Sequence, residues 1–318
     1  MTKKYAVFLG DVALDEYYAV ERWPGSAEKV PADMLESRMG GMIANAACVY
    51  ASYGAEARFS GVLCPEDKKL CDALNRDGID TGLVVYDPGM AASKCMIFLA
   101  EGEHTVFIIN TRAEEMPITE EIQRAYCGAE VIYTGFWALR YLRLAGMALE
   151  EIVAAWHRSG VRLVIDADVD KLSPADKALL PYVHTLFMNE VGFAAQRDGR
   201  SEEETVRHFL SLGVELLIVT LAERGCVVYS REGALRVPGV PAEVVDVTGA
   251  GDTFCGSFTF FYGLTRDPER SAVFATYASS RAVSGMGAQW AAVPFCPIWT
   301  AAAGTARHTR RFCGRPAI

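Results

Sequence analysis

An α/β fold is predicted, a three-layer α/β/α domain with a small β-sheet lid, and three observations predict it. Short apolar runs alternate with stretches of helical period along most of the 318 residues. The apolar runs are continuous rather than alternating, as they are in strands buried on both faces of a parallel sheet. No fixed-period repeat or low-complexity linker divides the chain, so the alternation belongs to one large domain.

Taken in order, Tyr5–Leu9 is the first buried strand. Met42–Tyr53 is Ala-rich at helical spacing, Ala57–Leu63 returns to strand, and Glu66–Asp77 reads as a helix. Val131–Thr134, Val161–Ile165, Thr185–Met188 and Leu216–Thr220 are compact apolar strands, with helices near 141–158, 174–182 and 202–212 between them. Thr253–Tyr262 is an apolar helix. Two stretches break the alternation. Residues 14–38 contain Tyr17, Tyr18, Val20, Trp23-Pro24-Gly25 and Val30. Residues 91–110 contain Lys94–Leu99, a Glu101-Gly102-Glu103 turn and Thr105–Ile109, the pattern of a β-hairpin. Together they form a small sheet of the kind that covers an active site. The domain is expected to span 1–294. The tail, 295–318, has no acidic residue and carries Arg307, Arg310, Arg311 and Arg315 among Gly and Pro breaks, so a poorly ordered end is expected.

Composition removes several classes. With 51% apolar and 22% charged residues the chain is globular, not disordered. A net charge of -9 argues against nonspecific nucleic-acid binding, which needs clustered cations. Apolar stretches such as Val214–Leu221 fall far short of the ~20 residues of a membrane helix. Lys3-Lys4 leads into a short apolar run that meets Asp11, which reads as the first strand of a cytoplasmic protein rather than a secretory signal. The 9 cysteines are scattered without C-x-x-C spacing and read as small buried thiols of a reducing compartment. An anionic ligand therefore has to be met by a local anion site, against the overall field.

One segment offers such a site: Asp246-Val247-Thr248-Gly249-Ala250-Gly251-Asp252-Thr253-Phe254-Cys255-Gly256. Gly249 and Gly251 allow tight turning and close approach of backbone to a ligand. Consecutive N–H groups at a helix start attract anions, helped by the helix dipole. A carboxylate there repels a resting phosphate, and Asp252 makes more sense as a base taking a proton from an attacking hydroxyl. Taken alone, the string is equally a turn with Asp252 as an ordinary N-cap. There is no G-x-x-x-x-G-K-[ST] loop and no H-R-D catalytic loop, and His157-Arg158-Ser159 reads as helix surface. No G-x-G-x-x-G follows the first strand, which removes a nicotinamide oxidoreductase.

The whole string resembles the C-terminal signature of the ribokinase-like, or PfkB, carbohydrate kinases. Gly40-Gly41-Met42-Ile43-Ala44-Asn45-Ala46-Ala47 is similar to their N-terminal signature, in the right order and at the right separation. The resemblance covers about 4–294. It implies a ribokinase-like, Rossmann-like domain that transfers the γ-phosphoryl group of ATP, with Mg2+, to a hydroxyl of a sugar or nucleoside. It makes Asp252 the general base and the backbone of Gly249, Ala250 and Gly251 the anion hole. Asp15 maps to the acid that holds sugar hydroxyls, with Asp11 as the competing candidate; the plainer alternative for both is a solvated turn acid. Gly40, Gly41 and Asn45 complete the sugar side, or are merely a helix start with a small-residue face.

On the nucleotide side the resemblance places Asn189, the Thr220–Gly225 stretch and Ser279. Asn189-Glu190-Val191-Gly192 keeps the Asn of the family's Asn-x-x-Glu but has Gly at the last position. Glu190 is the neighbouring acid on offer for Mg2+, although adjacent residues point in different directions. Ala222 stands where a Gly is common. Ala278–Gln289 resembles the adenine and monovalent-cation loops, and Asp246 and Thr248 would hold K+ as in the potassium-activated members. Residues 14–38 and 91–110 match the family's lid, which implies a homodimer through it; Tyr17, Trp23 and Phe98 are lid or substrate-facing candidates. Arg112 falls where relatives vary with substrate, and either pairs with a substrate carboxylate or phosphate or is a solvated surface Arg.

The leading expectation is an ATP-dependent kinase acting on a primary hydroxyl of a sugar or sugar acid. A nucleoside acceptor is the runner-up, to be decided by the lid and the region of Phe136–Trp137. A non-catalytic sugar- or nucleotide-binding regulator on the same fold is the third. Gly192 speaks for it, and the intact Gly249–Asp252 string speaks against it.

Overall fold

The computed structural model describes residues 5–111, 114–167, 171–285 and 310–311. In chain order the first elements are β1 (Ala6–Leu9), β2 (Ala13–Val20), β3 (Ala32–Gly40), α1 (Met42–Ser52), β4 (Ala57–Ser60) and β5 (Val62–Leu63). Next come α2 (Lys68–Arg76), β6 (Ile79–Asp80), β7 (Val85–Tyr86), β8 (Lys94–Ala100), β9 (Glu103–Ile108) and β10 (Met116–Pro117). The middle holds α3 (Glu120–Gly128), β11 (Val131–Thr134), α4 (Phe136–Leu139), β12 (Leu142–Arg143), α5 (Leu149–Arg158) and β13 (Arg162–Asp166). Then follow α6 (Pro174–Leu179), β14 (Val183–Asn189), α7 (Glu190–Ala195), α8 (Glu202–Ser211) and β15 (Leu216–Thr220). The last are β16 (Cys226–Ser230), β17 (Gly233–Val237), α9 (Ala250–Thr265), α10 (Pro268–Ala282) and β18 (Arg310–Arg311).

The main sheet runs β18-β17-β16-β15-β14-β13-β11-β1-β4-β6. From β6 to β15 every pairing is parallel, and from β15 outward the pairings are antiparallel. Successive side chains of the parallel strands face opposite ways, and so build two cores. Phe8, Val131, Tyr133, Val164 and Ile218 face the layer that contains α1, α9 and α10. Val7, Ile132, Leu163, Leu186 and Leu217 face the layer of α3, α5 and α8. This is the three-layer architecture read from the continuous apolar runs. A second sheet, in the order β3-β2-β8-β9, is built from residues 13–40 and 94–108.

Several boundaries differ from the sequence expectation. Residues 57–63 split into β4 and β5 at Gly61, where an added Cβ would sit 2.3 Å from the carbonyl oxygen of Gly10. The helix expected from 141 begins only at Leu149; the chain before it forms β12 and turns at Gly146, φ +78. The helix expected at Thr253 starts earlier, at Ala250. Ala278–Ala282 is the last part of α10 rather than loop, while residues 286–289 lie outside the described residues. So does Arg112. Of the basic tail only β18 is described, as an edge strand on β17. No helix among the described residues is long and apolar enough to cross a membrane.

Candidate active site

The first strand pairs in parallel with β11 on one side and β4 on the other, so the chain order reverses at β1. Open α/β sheets bind ligands in the crevice at the carboxyl end of such a switch point. A cavity of about 540 Å³ opens there, lined by Gly10 and Asp11 after β1, Met42 of α1, Lys94 and Cys95 of β8, and Trp137 of α4. A second cavity, of about 710 Å³, lies at the carboxyl ends of β14 and β15. It gathers Asn189, Glu190, Thr220, Gly225 and Ser279 with Ala250 and Gly251. Thus the four residues placed on the nucleotide side line one cavity, and the glycine-rich string forms part of its wall.

The two signatures meet between the cavities. Asn45, in the first turn of α1, donates from Nδ2 to Oδ2 of Asp252 at 2.8 Å. The contact needs α1 and α9 to pack almost backbone to backbone. Gly256 allows it: a Cβ there would lie 2.7 Å from the carbonyl of Ala46. Farther along the same helix pair, Tyr53 and Ser257 share a hydrogen bond of 2.7 Å. The small residues of both strings are therefore a packing device.

The start of α9, like that of α1, has a glycine N-cap and no side-chain cap. Thr119, Ser173, Ser201 and Asp267 cap α3, α6, α8 and α10 with their side chains. By contrast, α9 has Gly249 at its N-cap, left-handed at φ 74, and no side-chain cap. Asp252 lies within the first turn, not at the cap, so the ordinary N-cap alternative fails. The N–H of Ala250 turns back to the carbonyl of Val247 at 3.2 Å, and this narrows the expected anion hole toward Gly251 and Asp252. An added Cβ at Gly251 would meet nothing within 4 Å, so this turn faces open space. Open first-turn N–H groups at the positive end of a 16-residue helix suit a phosphate.

On the β1 side, Asp11 holds the start of α1. Its Oδ1 accepts from the N–H of Ile43 at 3.1 Å, and its carbonyl accepts from Ala44 at 3.1 Å. Burial raises its carboxyl pKa, opposed by those backbone bonds. Asp15 lies on β2, directly beside Cys95 of β8. Burial pushes its carboxyl up to about 6, and a hydrogen bond with Cys95 works the other way. Gly40 leaves the room that Asp15 occupies, for a Cβ there would lie 1.9 Å from its Oδ2. Gly41, at φ +100, runs against the backbone of Val12.

The Asp15 shift predicts a pH response. A carboxylate accepts hydroxyl hydrogen bonds best when ionised, so if Asp15 receives acceptor hydroxyls, acceptor kcat/KM falls as pH drops through about 6. Its effect on stability has the opposite sense. A raised pKa means that the folded state keeps a proton between 3.8 and about 6 that the unfolded chain releases, so this group favours folding less as pH rises through that window. A pH–rate profile of Asp15→Asn lacking this acid limb checks the assignment.

The cation candidates are less assembled. Asp246 Oδ1 accepts from the N–H of Thr248 at 2.9 Å, closing a local turn, and Asp246 N–H donates to the carbonyl of Val283 at 3.2 Å. Glu190 forms an ion pair with Arg224 at the cavity edge. Asn189 Oδ1 accepts from Gly192 N–H at 2.7 Å, so this Asn caps α7 as well as lining the cavity. Among the described residues no group of three or more His, Cys, Asp or Glu is placed to hold a metal.

One acid escaped the sequence reading. Asp166, at the end of β13, accepts a hydrogen bond of 2.6 Å from the buried hydroxyl of Tyr133 on β11. Burial raises the thiol of Cys255 first, and Asp166 and Asp252 raise it further, so both carboxylates lie near that thiol. Nothing local to residue 166 signals this. The pairing of β11 with β13 creates it.

Known proteins resemble this chain in sequence and in fold. A probable fructokinase-5 of Arabidopsis thaliana is 27% identical over 241 residues, covering 70% of this chain and 73% of that protein. A ribokinase of Staphylococcus aureus is 24% identical over 308 residues, covering 92% and 97%. The solved structure of Arabidopsis thaliana ribokinase with ribose and ATP superposes with a TM-score of 0.80 at 21% identity, over 95% of this chain and 99% of that one. The model of the pfkB family carbohydrate kinases matches residues 3–295, and with the two signatures joined at Asn45 and Asp252 the chain belongs to that family of ATP-dependent kinases.

Proposed function

We propose that the protein transfers the γ-phosphoryl group of ATP to a hydroxyl of a sugar bound in the 540 Å³ cavity, with the triphosphate in the 710 Å³ cavity. The observation that carries this is the Asn45–Asp252 hydrogen bond between the two signatures. Asn45 holds one oxygen of the carboxylate and so sets its orientation. Asp252 takes the proton from the attacking hydroxyl as the new P–O bond forms. The first-turn N–H groups of α9 stabilise the charge that spreads over the transferring oxygens. The Arabidopsis ribokinase that shares this fold was solved with ribose and ATP, which supports a sugar and ATP as the ligands.

Mg2+ is held by one or two carboxylates plus phosphate oxygens, rather than by a cage of protein ligands. Glu190 lines the 710 Å³ cavity and Asp252 lies in the first turn of the helix that bounds it, so these carboxylates, with Asp166, would be the ones to hold such an ion, which would neutralise phosphate charge. K+ at Asp246 and Thr248 is part of the same proposal. The small sheet carries exposed apolar side chains, Met34 56%, Leu35 55%, Phe107 53% and Ile108 79% accessible. They support a homodimer through this sheet, for which sedimentation velocity would give twice the 34.7 kDa chain mass.

A screen of ADP release across ketoses, aldoses, sugar acids and nucleosides tests the activity. The expected result is release above the ATP-only background with at least one of them. Background release with all of them would leave the regulator as the surviving alternative.

A further inference from the structure

The hydroxyl of Tyr133 serves neither the packing of the core nor the proton transfer. Tyr133 of β11 is fully buried, and its ring packs against Phe8 of β1 with centroids 5.5 Å apart. A phenylalanine would fill the same space without a polar atom. A hydroxyl left unpaired there costs the fold, so the phenol needs a partner. That partner is Oδ2 of Asp166, at 2.6 Å.

The sheet places this pair between the two cavities. Strands β11 and β13 lie between β1, which leads to the 540 Å³ cavity, and β14, which leads to the 710 Å³ cavity. Tyr133 is level with Val164 of β13, and both face the layer that contains α9. Asp166 follows Val164 by two residues at the carboxyl end of β13, so it shares that face. From the other side, Asp252 and Cys255 are three residues apart in α9 and lie on one face of it. The thiol of Cys255 has both carboxylates near it, so sheet and helix bring Asp166 and Asp252 toward one place.

Resting on the phosphoryl transfer proposed above, we infer that Tyr133 is a positioning residue, whose phenol fixes Oδ2 of Asp166 and so orients this carboxylate toward the Mg2+ that the nucleotide brings. An acid held by a buried donor does not have to be ordered when the ion binds, and partners of this kind typically set metal affinity by about 10–100-fold. The phenol reaches no substrate itself. It acts through Asp166.

The test compares wild type with Tyr133→Phe, Asp166→Asn and the double variant. Calorimetry measures the affinity for adenylyl-imidodiphosphate, a non-hydrolysable ATP analogue, in Mg2+ and in EDTA, and the ratio of the two gives the gain due to the metal. Asp166→Asn should cut this gain at least ~10-fold and Tyr133→Phe at least ~3-fold, with the affinity in EDTA unchanged within about twofold. The double variant should match Asp166→Asn within about twofold, because the two residues act as one unit. In kinetics, Tyr133→Phe should raise the Mg2+ concentration for half-maximal rate by a similar factor. Tyr133→Phe keeps the ring and its volume, so the core stays filled. A hydroxyl with a merely structural role would lower the melting temperature of Tyr133→Phe and leave the metal gain at its wild-type value, and that result overturns the inference. So does a wild type with no metal gain, a gain unmoved by Asp166→Asn, or losses that multiply in the double variant. Each of these leaves the kinase reading standing. That reading is judged separately by the ADP-release screen, and background release with every acceptor would sink it and the inference together.

Discussion

Asp252→Asn is expected to keep ATP binding and to lower kcat by about 10²–10⁴-fold, the contribution of a positioned base. The replacement is nearly isosteric. Its amide oxygen still accepts from Asn45 Nδ2, and the packing of α1 on α9 through Gly256 and Ala46 is untouched. What goes is the proton acceptor, and with it one negative charge in the first turn of α9, worth about 0.3–1 kcal/mol to the helix. Calorimetry with ATP and ADP-release kinetics with the best acceptor of the screen separate the two effects. A kcat near wild type would move the base elsewhere, and Asp166 would be the next carboxylate to examine.

Gly40→Ala is expected to lower acceptor kcat/KM by about 10²-fold, the cost of misplacing a binding group by roughly 1 Å. The reason is steric and local. A Cβ at this position would lie 1.9 Å from Oδ2 and 2.4 Å from Cγ of Asp15, so the carboxylate has to swing away. The cavity on the far side of Asp252 is not involved, and the KM for ATP should stay within about twofold. Gly41→Ala makes the useful contrast. Its Cβ would meet the Val12 backbone at 2.9 Å, from a φ of +100, so it should lower the melting temperature more than Gly40→Ala does. An acceptor KM unmoved in Gly40→Ala would remove Asp15 from the sugar site.

The layers of the fold were legible because fully buried parallel strands read as continuous apolar runs. Phe8, Val164 and Ile218 serve one core while their neighbours Val7, Leu163 and Leu217 serve the other. Elements without that signal were not read. Strand β17, on the antiparallel side of the sheet, alternates half-buried with exposed residues. Helix α10 buries Ser271, Ala272, Ala275, Thr276 and Ala278, small residues that give weak hydrophobic periodicity. Gly249 and Gly251 marked a turn, yet the helix runs through Gly251. Helix propensity counts against Gly there, and the open first turn is what its presence provides.

The site was legible in proportion to how local its parts are. The two strings could be recognised one at a time, because each is a run of adjacent residues. That Asn45 would reach Asp252 is a matter of helix packing across 207 positions of sequence. Asp166 and the three methionines that line the 540 Å³ cavity belong wholly to that second kind. Met42, Met90 and Met116 come from segments that look unrelated until the sheet order brings them to one cavity.

The open start of α9 has a consequence for how the nucleotide arrives. A chain of net charge -9 repels a polyanion at a distance, and backbone dipoles attract it only across the last few ångströms. Added salt screens the distant repulsion and leaves the short-range N–H contacts almost untouched. Association should therefore quicken with ionic strength while dissociation stays flat, the reverse of a site built from surface lysines. Discrimination then falls to the fit of the phosphate chain at the helix end, because the long-range field draws in no anion at all.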